Sequence, residues 1–253
     1  MTVRDTPWPE GTPCWVEVQV DDPVRTSAFY GRLFGWTFLD HGEEYDHYLT
    51  ARLDGRNVAD IGPRPPGAER GGPSAWLVCL AVDGADAVAE RIERAGGKLL
   101  VPPNDVGTHG RFAVAEDPAG AVFAIWQADE YPGAQVAGVA GAAVRHHCLS
   151  RDVAAAAAFY AAVFGHRVTP GPGAREVTLG LGGQEVASVA AGAEGVASHW
   201  RVAFGVVDVD EAVAAVAGLG GSLREGPYAT PRGRGAVLAD AQGTVFEVLE
   251  TGP

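Results

Sequence analysis

The chain has 253 residues, of which 47% are hydrophobic and 20% charged, a composition typical of soluble globular proteins. Its formal net charge of −13 at pH 7 argues against nucleic acid as a partner, because nucleic-acid binding needs a basic surface. No apolar run approaches the roughly 20 residues that span a bilayer, and the first residues lack the apolar segment of a signal peptide. We therefore expect a cytoplasmic protein with no membrane partner.

The first predicted element is a strand at residues 14–20, where apolar and polar side chains alternate. Asp22 and Pro23 then predict a helix start, because an Asp side chain accepts hydrogen bonds from unpaired backbone N–H groups and proline at the first helical position loses none. Gly35 predicts the end of this helix, since glycine readily adopts the left-handed conformation found there. Short strands are predicted within residues 36–61.

A second round of elements completes the first half of the chain. It comprises a strand at 76–82, a helix at 85–95, a strand at 98–101, a loop at 102–109 and a hairpin within 111–127. Because hairpins outnumber crossover connections, the pattern predicts an α+β fold rather than a doubly wound parallel sheet.

The second half of the chain repeats the first, which predicts two domains of one fold. Residues 22–35 return as 152–165, 96–97 as 220–221, and 117–123 as 240–246. The predicted boundaries are 1–130 for the first domain, 131–140 for a linker and 141–253 for the second domain. Positions at which the two copies differ point towards function.

Three motifs occur in the same order in both halves: an Asp-x6-Phe-Tyr-x3-Phe-Gly helix, a Gly-Gly helix stop and an Asp-x-x-Gly hairpin. Together they resemble the vicinal oxygen chelate superfamily, which includes glyoxalase I, bleomycin and fosfomycin resistance proteins and extradiol dioxygenases. The resemblance covers residues 12–250 and is greatest to two-domain actinobacterial proteins labelled hydroxylases or glyoxalase-like. It implies four βαβββ modules, two per domain, that form cupped sheets around pockets for a small molecule, in a monomer or homodimer.

The resemblance also implies where a metal would bind. Its ligands are a His, Glu or Gln seven residues before the Asp that caps a module's helix, and a Glu seven residues after the hairpin Asp. In the first half these positions carry Trp15, Trp76 (or a neighbour) and Ala124. Because Trp and Ala offer a metal no lone pair, we expect the first pocket to be metal-free and favour no cofactor.

In the second half the same positions carry Arg145, Trp200 (or a neighbour) and Glu247. Glu247 alone of these can coordinate a cation, and Arg145 would repel one. Glu247 and Arg145 are therefore the candidate catalytic residues, with Glu247 as a general base or ligand anchor and Arg145 stabilising an oxyanion. A buried ion pair between them, or a solvated Glu247, stays open.

A metal site in the second half is the alternative hypothesis. His146, His147, His199 and Glu247 offer the two imidazoles and one carboxylate of a non-haem iron site. Strand alternation places His147 on the face of Arg145 and His146 on the other, although a one-residue bulge can change which His points inward. This hypothesis predicts a lyase, isomerase or dioxygenase that uses Fe, Mn, Zn or Ni.

Aromatic residues on predicted strands suggest the ligand class. The predicted pocket-lining residues are Trp15, Glu17, Trp76, Trp126, His147 and Trp200. Indole rings bind flat or cationic molecules by stacking and cation–π contact, although core packing is an equal alternative for Trp126. The favoured hypothesis is a metal-free pocket for a small aromatic or hydrophobic molecule, in natural-product biosynthesis or drug sequestration. A second copy that is only structural is a further alternative.

Overall fold

A computed structural model describes residues 1–68, 70–72, 74–172, 175–231 and 233–252. The first half contains β1 (Thr2–Val3), β2 (Pro13–Val20), α1 (Pro23–Phe34), β3 (Thr37–Asp40), a 3₁₀ turn (Glu43–Tyr45), β4 (Leu49–Leu53), β5 (Arg56–Pro63), β6 (Leu77–Ala81), α2 (Ala85–Arg94), β7 (Lys98–Val106), β8 (Gly110–Glu116) and β9 (Val122–Ala128). The second half contains β10 (Val136–Ala137), β11 (Ala143–Ser150), α3 (Val153–Phe164), β12 (Arg167–Pro170), β13 (Glu176–Leu181), β14 (Gln184–Ala191), β15 (His199–Val206), α4 (Val209–Gly218), β16 (Ser222–Thr230), β17 (Gly233–Ala239) and β18 (Val245–Glu250).

Each half forms one eight-stranded mixed sheet. The strand order is β3-β4-β5-β2-β6-β9-β8-β7 in the first sheet and β12-β13-β14-β11-β15-β18-β17-β16 in the second. Each sheet consists of two βαβββ modules joined by an antiparallel pair of their first strands, β2 with β6 and β11 with β15. The predicted α+β fold of four modules is confirmed. The residue boundaries of the domains stay a prediction, and β10, within the predicted linker, pairs with β1.

The helix limits follow the capping residues that the sequence offers. The Asp22 carboxylate accepts a hydrogen bond from the Arg25 N–H at 2.9 Å, and Gly35 ends the helix with φ +74°. The equivalent Asp152 caps α3 in the same way. Helix α2 differs, because its N-cap is Gly84, which has no side chain to bond the first turn. The helix thus starts one residue later than Asp83 would suggest, and a count back from its N-cap reaches a different residue of β6.

One predicted loop is a strand. β7 continues from Lys98 to Val106 through the two prolines at 102–103, where a loop is predicted. Prolines are tolerated there because β7 is the last strand of its sheet, and the register with β8 shifts between Val101 and Asn104.

The helix-facing sides of the two sheets pack against each other through residues of the repeated motifs. Tyr160 of α3 donates a hydrogen bond to Asp117 Oδ2 of the other half at 3.1 Å, and accepts one from Trp200 Nε1 at 2.8 Å. Asp117 also accepts hydrogen bonds from the backbone N–H groups of Ala119 and Ala121 in its hairpin. The hairpin Asp therefore holds both its own turn and the neighbouring domain.

Equivalent hydrogen bonds link the helix of the first half to the hairpin of the second half. Tyr30 of α1 donates to Asp240 Oδ2 of the second half at 3.3 Å, and Trp76 Nε1 donates to the Tyr30 hydroxyl at 3.1 Å. A Cβ on Gly221 would lie 2.4 Å from the Ala239 carbonyl oxygen and 3.0 Å from the Phe29 ring, so the second glycine of the Gly-Gly pair is required for close packing. The repeated motifs thus explain how the two halves are held together.

Within the described residues, none of the helices combines the length and apolar character needed to cross a membrane.

Candidate functional site

The first candidate site lies on the face of the first sheet opposite its helices, which we call the first cup. Alternation along β2 directs Trp15 and Glu17 towards this face and the neighbouring valines towards the helices. The face borders a cavity of about 360 Å³. The residues on its wall include Trp15, Glu17, Tyr48, Asp60, Cys79, Phe112, Trp126 and Tyr131. Three residues that the sequence predicts to line a pocket, Trp15, Glu17 and Trp126, are on this wall.

Two carboxyl groups lie side by side on the cavity wall. Glu17 of β2 and Asp60 of β5 are register partners in a parallel strand pair. The Tyr48 hydroxyl is a hydrogen-bond partner of Glu17. Asp60 accepts hydrogen bonds from the Thr50 hydroxyl at 2.7 Å and from Trp15 Nε1 at 3.1 Å. Burial raises the pKa of Glu17 to about 7 and that of Asp60 to about 8, although these donors act in the opposite direction.

These two carboxyls are the most distinctive chemical feature of the first cup. Among the described residues, neither forms an ion pair with Arg, Lys or His. Near neutral pH they therefore retain protons, and the wall can both donate and accept hydrogen bonds. Asp60 is absent from the predicted site, yet an acidic residue among the apolar residues of β5 is a signal that could have found it.

Imidazole and phenol groups complete the cavity. His41 Nε2 lies 2.9 Å from the Thr50 hydroxyl, and burial, His109 and Arg52 together lower its pKa, so His41 is neutral at pH 7. The His109 ring lies 6.0 Å from that of Tyr131. Sequence reasoning missed Tyr131, which belongs to the predicted linker and follows no periodic pattern.

The positions implied for metal ligands depend on the true helix starts. The helix N-caps are Asp22, Gly84, Asp152 and Asp208. The residues seven positions before them are Trp15, Leu77, Arg145 and Arg201. Counting from Asp83 instead of Gly84 gives Trp76, and alternation then assigns the wrong face of β6.

The prediction that Trp76 and Trp200 line the pockets is therefore corrected. Both indoles belong to the core between the sheets, where they donate to Tyr30 and Tyr160. Leu77 and Arg201 occupy the cup-facing positions instead.

The second candidate site lies on the equivalent face of the second sheet, the second cup, which carries Arg145, His147, Ser188, Arg201, Tyr228 and Glu247. His147 Nε2 lies 3.0 Å from Glu247 Oε2, and the Tyr228 hydroxyl donates to Glu247 Oε1 at 2.9 Å. Burial acts to raise the pKa of Glu247, but His147, Tyr228 and Arg145 together outweigh it and lower the pKa. Glu247 is therefore charged at neutral pH.

The predicted pairing of Arg145 with Glu247 is replaced by a different one. The Arg145 guanidinium forms an ion pair with Glu176 and donates to Ser188 Oγ at 3.1 Å. Glu176 comes from β13, whose position relative to β11 no local sequence pattern indicates.

The donors predicted for a second-cup metal do not converge. His146 faces the core opposite Val202, and burial lowers its pKa to about 4. His199 Nδ1 bonds the Ala197 carbonyl at 2.9 Å. Only His147 and Glu247 meet.

The metal that the superfamily implies does not fit either cup. Across the part of the chain that the structure describes, no group of three or more His, Cys, Asp or Glu side chains could hold a metal ion. In the first cup the implied ligand positions carry Trp15, Leu77 and Ala124, which have no donor atoms for a cation. In the second they carry Arg145, Arg201 and Glu247, so two guanidinium groups stand where ligands are required.

Comparison with known proteins agrees with this fold. The family described as the Glyoxalase/Bleomycin resistance protein/Dioxygenase superfamily matches residues 14–125, and a glyoxalase-like domain family matches residues 146–249. The chain is 37% identical over 251 residues to CFP32 of Mycobacterium tuberculosis, named provisionally as a glyoxylase, with 96% of each chain covered. It is also 37% identical over 260 residues to the anthracycline biosynthesis protein DnrV of Streptomyces peucetius, covering 95% of this chain and 93% of DnrV. The protein belongs to the glyoxalase/bleomycin resistance/dioxygenase superfamily.

Solved structures share the fold at low sequence identity. A Mn(II)-bound glyoxalase from Novosphingobium aromaticivorans matches with a TM-score of 0.69 and 18% identity, covering 97% of this chain and 83% of that chain. The 2,3-dioxygenase LapB from Pseudomonas sp. KL28 matches with a TM-score of 0.68 and 15% identity, covering 99% and 94%. At this identity the likeness concerns the fold alone, because one fold supports many chemistries.

Proposed function

We propose that the first cup binds a small aromatic or hydrophobic molecule without a metal, and that the protein acts in natural-product biosynthesis or in sequestration of such a molecule. The observation that carries this proposal is the cavity of about 360 Å³ walled by Trp15, Phe112, Trp126 and Tyr131. Its volume is at the small end of ligand pockets, about 300–1,000 Å³. A ligand of one or two rings would be enclosed, and a larger one would protrude.

The aromatic wall is held in place before any ligand arrives. Trp15 Nε1 donates to Asp60, and Trp126 Nε1 donates to the Tyr131 carbonyl at 2.9 Å. Tyr131 meets the Trp15 ring edge to face at 5.2 Å. Fixed side chains lose little entropy on binding, and each aromatic contact contributes about 0.5–1.5 kcal/mol beyond its buried area.

The carboxyls and the relatives support the ligand class. Because Glu17 and Asp60 retain protons near neutral pH, the cavity favours neutral aromatic molecules with hydroxyl or carbonyl groups. DnrV and its Streptomyces relative DauV are both named as anthracycline biosynthesis proteins, and anthracyclines are flat polycyclic aromatics. This kinship supports a flat ligand in a biosynthetic setting.

The test is a titration with alizarin, a flat dihydroxyanthraquinone, monitored by tryptophan fluorescence in protein stripped by chelator. We expect saturable binding, and Trp126→Ala to weaken it about tenfold, which corresponds to about 1.4 kcal/mol. Trp8→Ala is the control: Trp8 is part-buried and lies outside the cavity wall, with its Nε1 donating to the Ala134 carbonyl. Binding that requires added Mn²⁺ or Fe²⁺, or that is indifferent to Trp126→Ala, would contradict the proposal.

A second candidate function is metal-free acid–base catalysis in the second cup. It is favoured by the burial of Glu247 as a charged group between His147 and Tyr228. Glu247 would move a proton, with Arg145 stabilising an oxyanion. Full turnover by an Arg145→Ala/Glu247→Ala double variant, once a reaction is found, would exclude this role.

A further inference from the structure

The second cup contains buried polar atoms without hydrogen-bond partners. Among the described residues these include Arg145 Nε and Arg201 Nε. His147 Nε2 and Glu247 Oε2, by contrast, lie 3.0 Å apart and are partners of each other. Unpaired buried donors are costly, so such a group of atoms indicates a missing partner.

The two guanidinium groups of the second cup differ in their partners. Arg145 forms an ion pair with Glu176, and Glu247 Oε2 lies 3.0 Å from His147 Nε2. Arg201 is left over: within the described chain no carboxylate lies within ion-pair distance of it. Because β11 and β15 pair with His147 opposite Arg201, this cation lies beside the His147–Glu247 pair. Arg201 is thus a guanidinium of this cup that has no acidic partner of its own among the described residues.

The Arg201 guanidinium is oriented by a neighbour. Burial, and secondarily Arg201 itself, lower the pKa of His199, which is therefore neutral. Its Nδ1–H donates to the Ala197 carbonyl, so its Nε2 lone pair accepts from Arg201 Nη2 at 3.4 Å. Arg201 Nε is buried and has no hydrogen-bond partner among the described residues.

We propose that the second cup binds the carboxylate group of a small organic acid, with the Arg201 guanidinium as its anchor. A guanidinium fork presents parallel N–H groups that match the two oxygens of a carboxylate. Both oxygens of Glu247 already have partners, since the Tyr228 hydroxyl donates to Oε1 and His147 Nε2 lies 3.0 Å from Oε2. Arg201 stands at a position that the superfamily pattern implies for a metal ligand, so here a guanidinium supplies positive charge in the second cup. This site is independent of the aromatic pocket in the first cup.

The experiment uses isobutyrate, which has no ring to stack in the first cup, and isobutyramide as its uncharged isostere. Binding is followed on the ¹H–¹⁵N signals of the arginine Nε–H groups of the full-length protein. We expect isobutyrate to shift the Arg201 signal and isobutyramide to leave it unchanged. No shift of the Arg201 signal with isobutyrate would overturn the proposal even if no variant folds.

Two variants localise the effect. Arg201→Gln should weaken isobutyrate binding about tenfold or more, the loss expected for a charged hydrogen bond. Arg234→Gln is the matched control, since Arg234 pairs with Asp210 outside the second cup, and it should change the affinity less than twofold. Equal binding of isobutyrate by Arg201→Gln and wild type, or equal binding of acid and amide, would refute the assignment. Trp126→Ala should leave isobutyrate binding unchanged, which separates this test from that of the first cup.

Discussion

In the first cup, two carboxyls lie among aromatic rings, and no Arg, Lys or His among the described residues forms an ion pair with them. In the second, the equivalent face carries the Arg145–Glu176 ion pair and the His147–Glu247 contact, beside the Arg201 guanidinium. The two cups are built from equivalent strands arranged in the same order. Ala124 and Glu247 occupy equivalent positions, as do Trp15 and Arg145. The comparison teaches that side chains on the cup face can change completely while the fold stays fixed.

The opposite faces of the same sheets have not diverged in this way. Tyr30, Trp76 and Asp240 make the same contacts as Tyr160, Trp200 and Asp117. Each set joins one half of the chain to the other, so a change on one side leaves a buried polar atom unpaired on the other. Residues that are the same in the two halves therefore form the interface between them, and residues that differ lie on the cup faces.

The largest expected effect tests the symmetry of that interface. Phe123 and Phe246 are fully buried equivalents, each packed against the helix of the other half. Phe123→Ala and Phe246→Ala should each lower the free energy of unfolding by about 3–5 kcal/mol. Denaturant unfolding measures both, and a loss in one variant with none in the other would show that the halves are not held together symmetrically.

The next prediction removes the charge of the second cup. Glu247→Gln replaces an ionised partner of His147 and should cost about 2–3 kcal/mol at pH 7. Since the folded-state pKa of Glu247 lies below its ordinary value, this stabilisation is present above pH 4.5 and is lost as pH falls through the lowered pKa. The difference in unfolding free energy between wild type and variant should therefore be larger at pH 7 than at pH 3.

The corresponding substitution in the first cup, Glu17→Gln, should change the free energy of unfolding in the opposite direction. Glu17 has its pKa raised to about 7, so its contribution to stability is full below pH 4.5 and is lost as pH rises through 7. Glu17→Gln should therefore stabilise the protein above pH 8, on the order of 1–2 kcal/mol because solvent screens part of the effect, and change little at pH 4. Denaturant unfolding at pH 9 measures this change, and a lower free energy of unfolding for Glu17→Gln than for wild type would contradict the opposite charge preferences of the two cups.

How far the sequence predicts these sites depends on the kind of information each requires. Local patterns are enough for the modules, for the Asp22 and Asp152 caps, and for the face of β2 that carries Trp15 and Glu17. They fail at Trp76, because a glycine caps the next helix one residue later than the adjacent Asp83 suggests, and one residue reverses the face of a strand.

Local sequence patterns also fail to predict which side chains contact each other across the sheet. The pairing of Arg145 with Glu176, and the position of Asp60 beside Glu17, depend on which strands become neighbours in the sheet. Strand neighbours are set by tertiary packing and not by local spacing, so the residues are visible in the sequence while their contacts are not.

The smallest effect concerns ligand binding in the first cup. As pH rises through about 7 and 8, Glu17 and Asp60 both become charged, and a neutral aromatic ligand then displaces water from two carboxylates. The affinity for 9,10-anthraquinone, which carries no ionisable group, should fall a few-fold between pH 6 and pH 9. Glu17→Gln should flatten this decline, because one of the two charges no longer forms, whereas Glu247→Gln in the other cup should leave it intact. An affinity that does not vary with pH in wild type would mean that the ligand does not contact the carboxyl pair, and would place it against the aromatic wall alone.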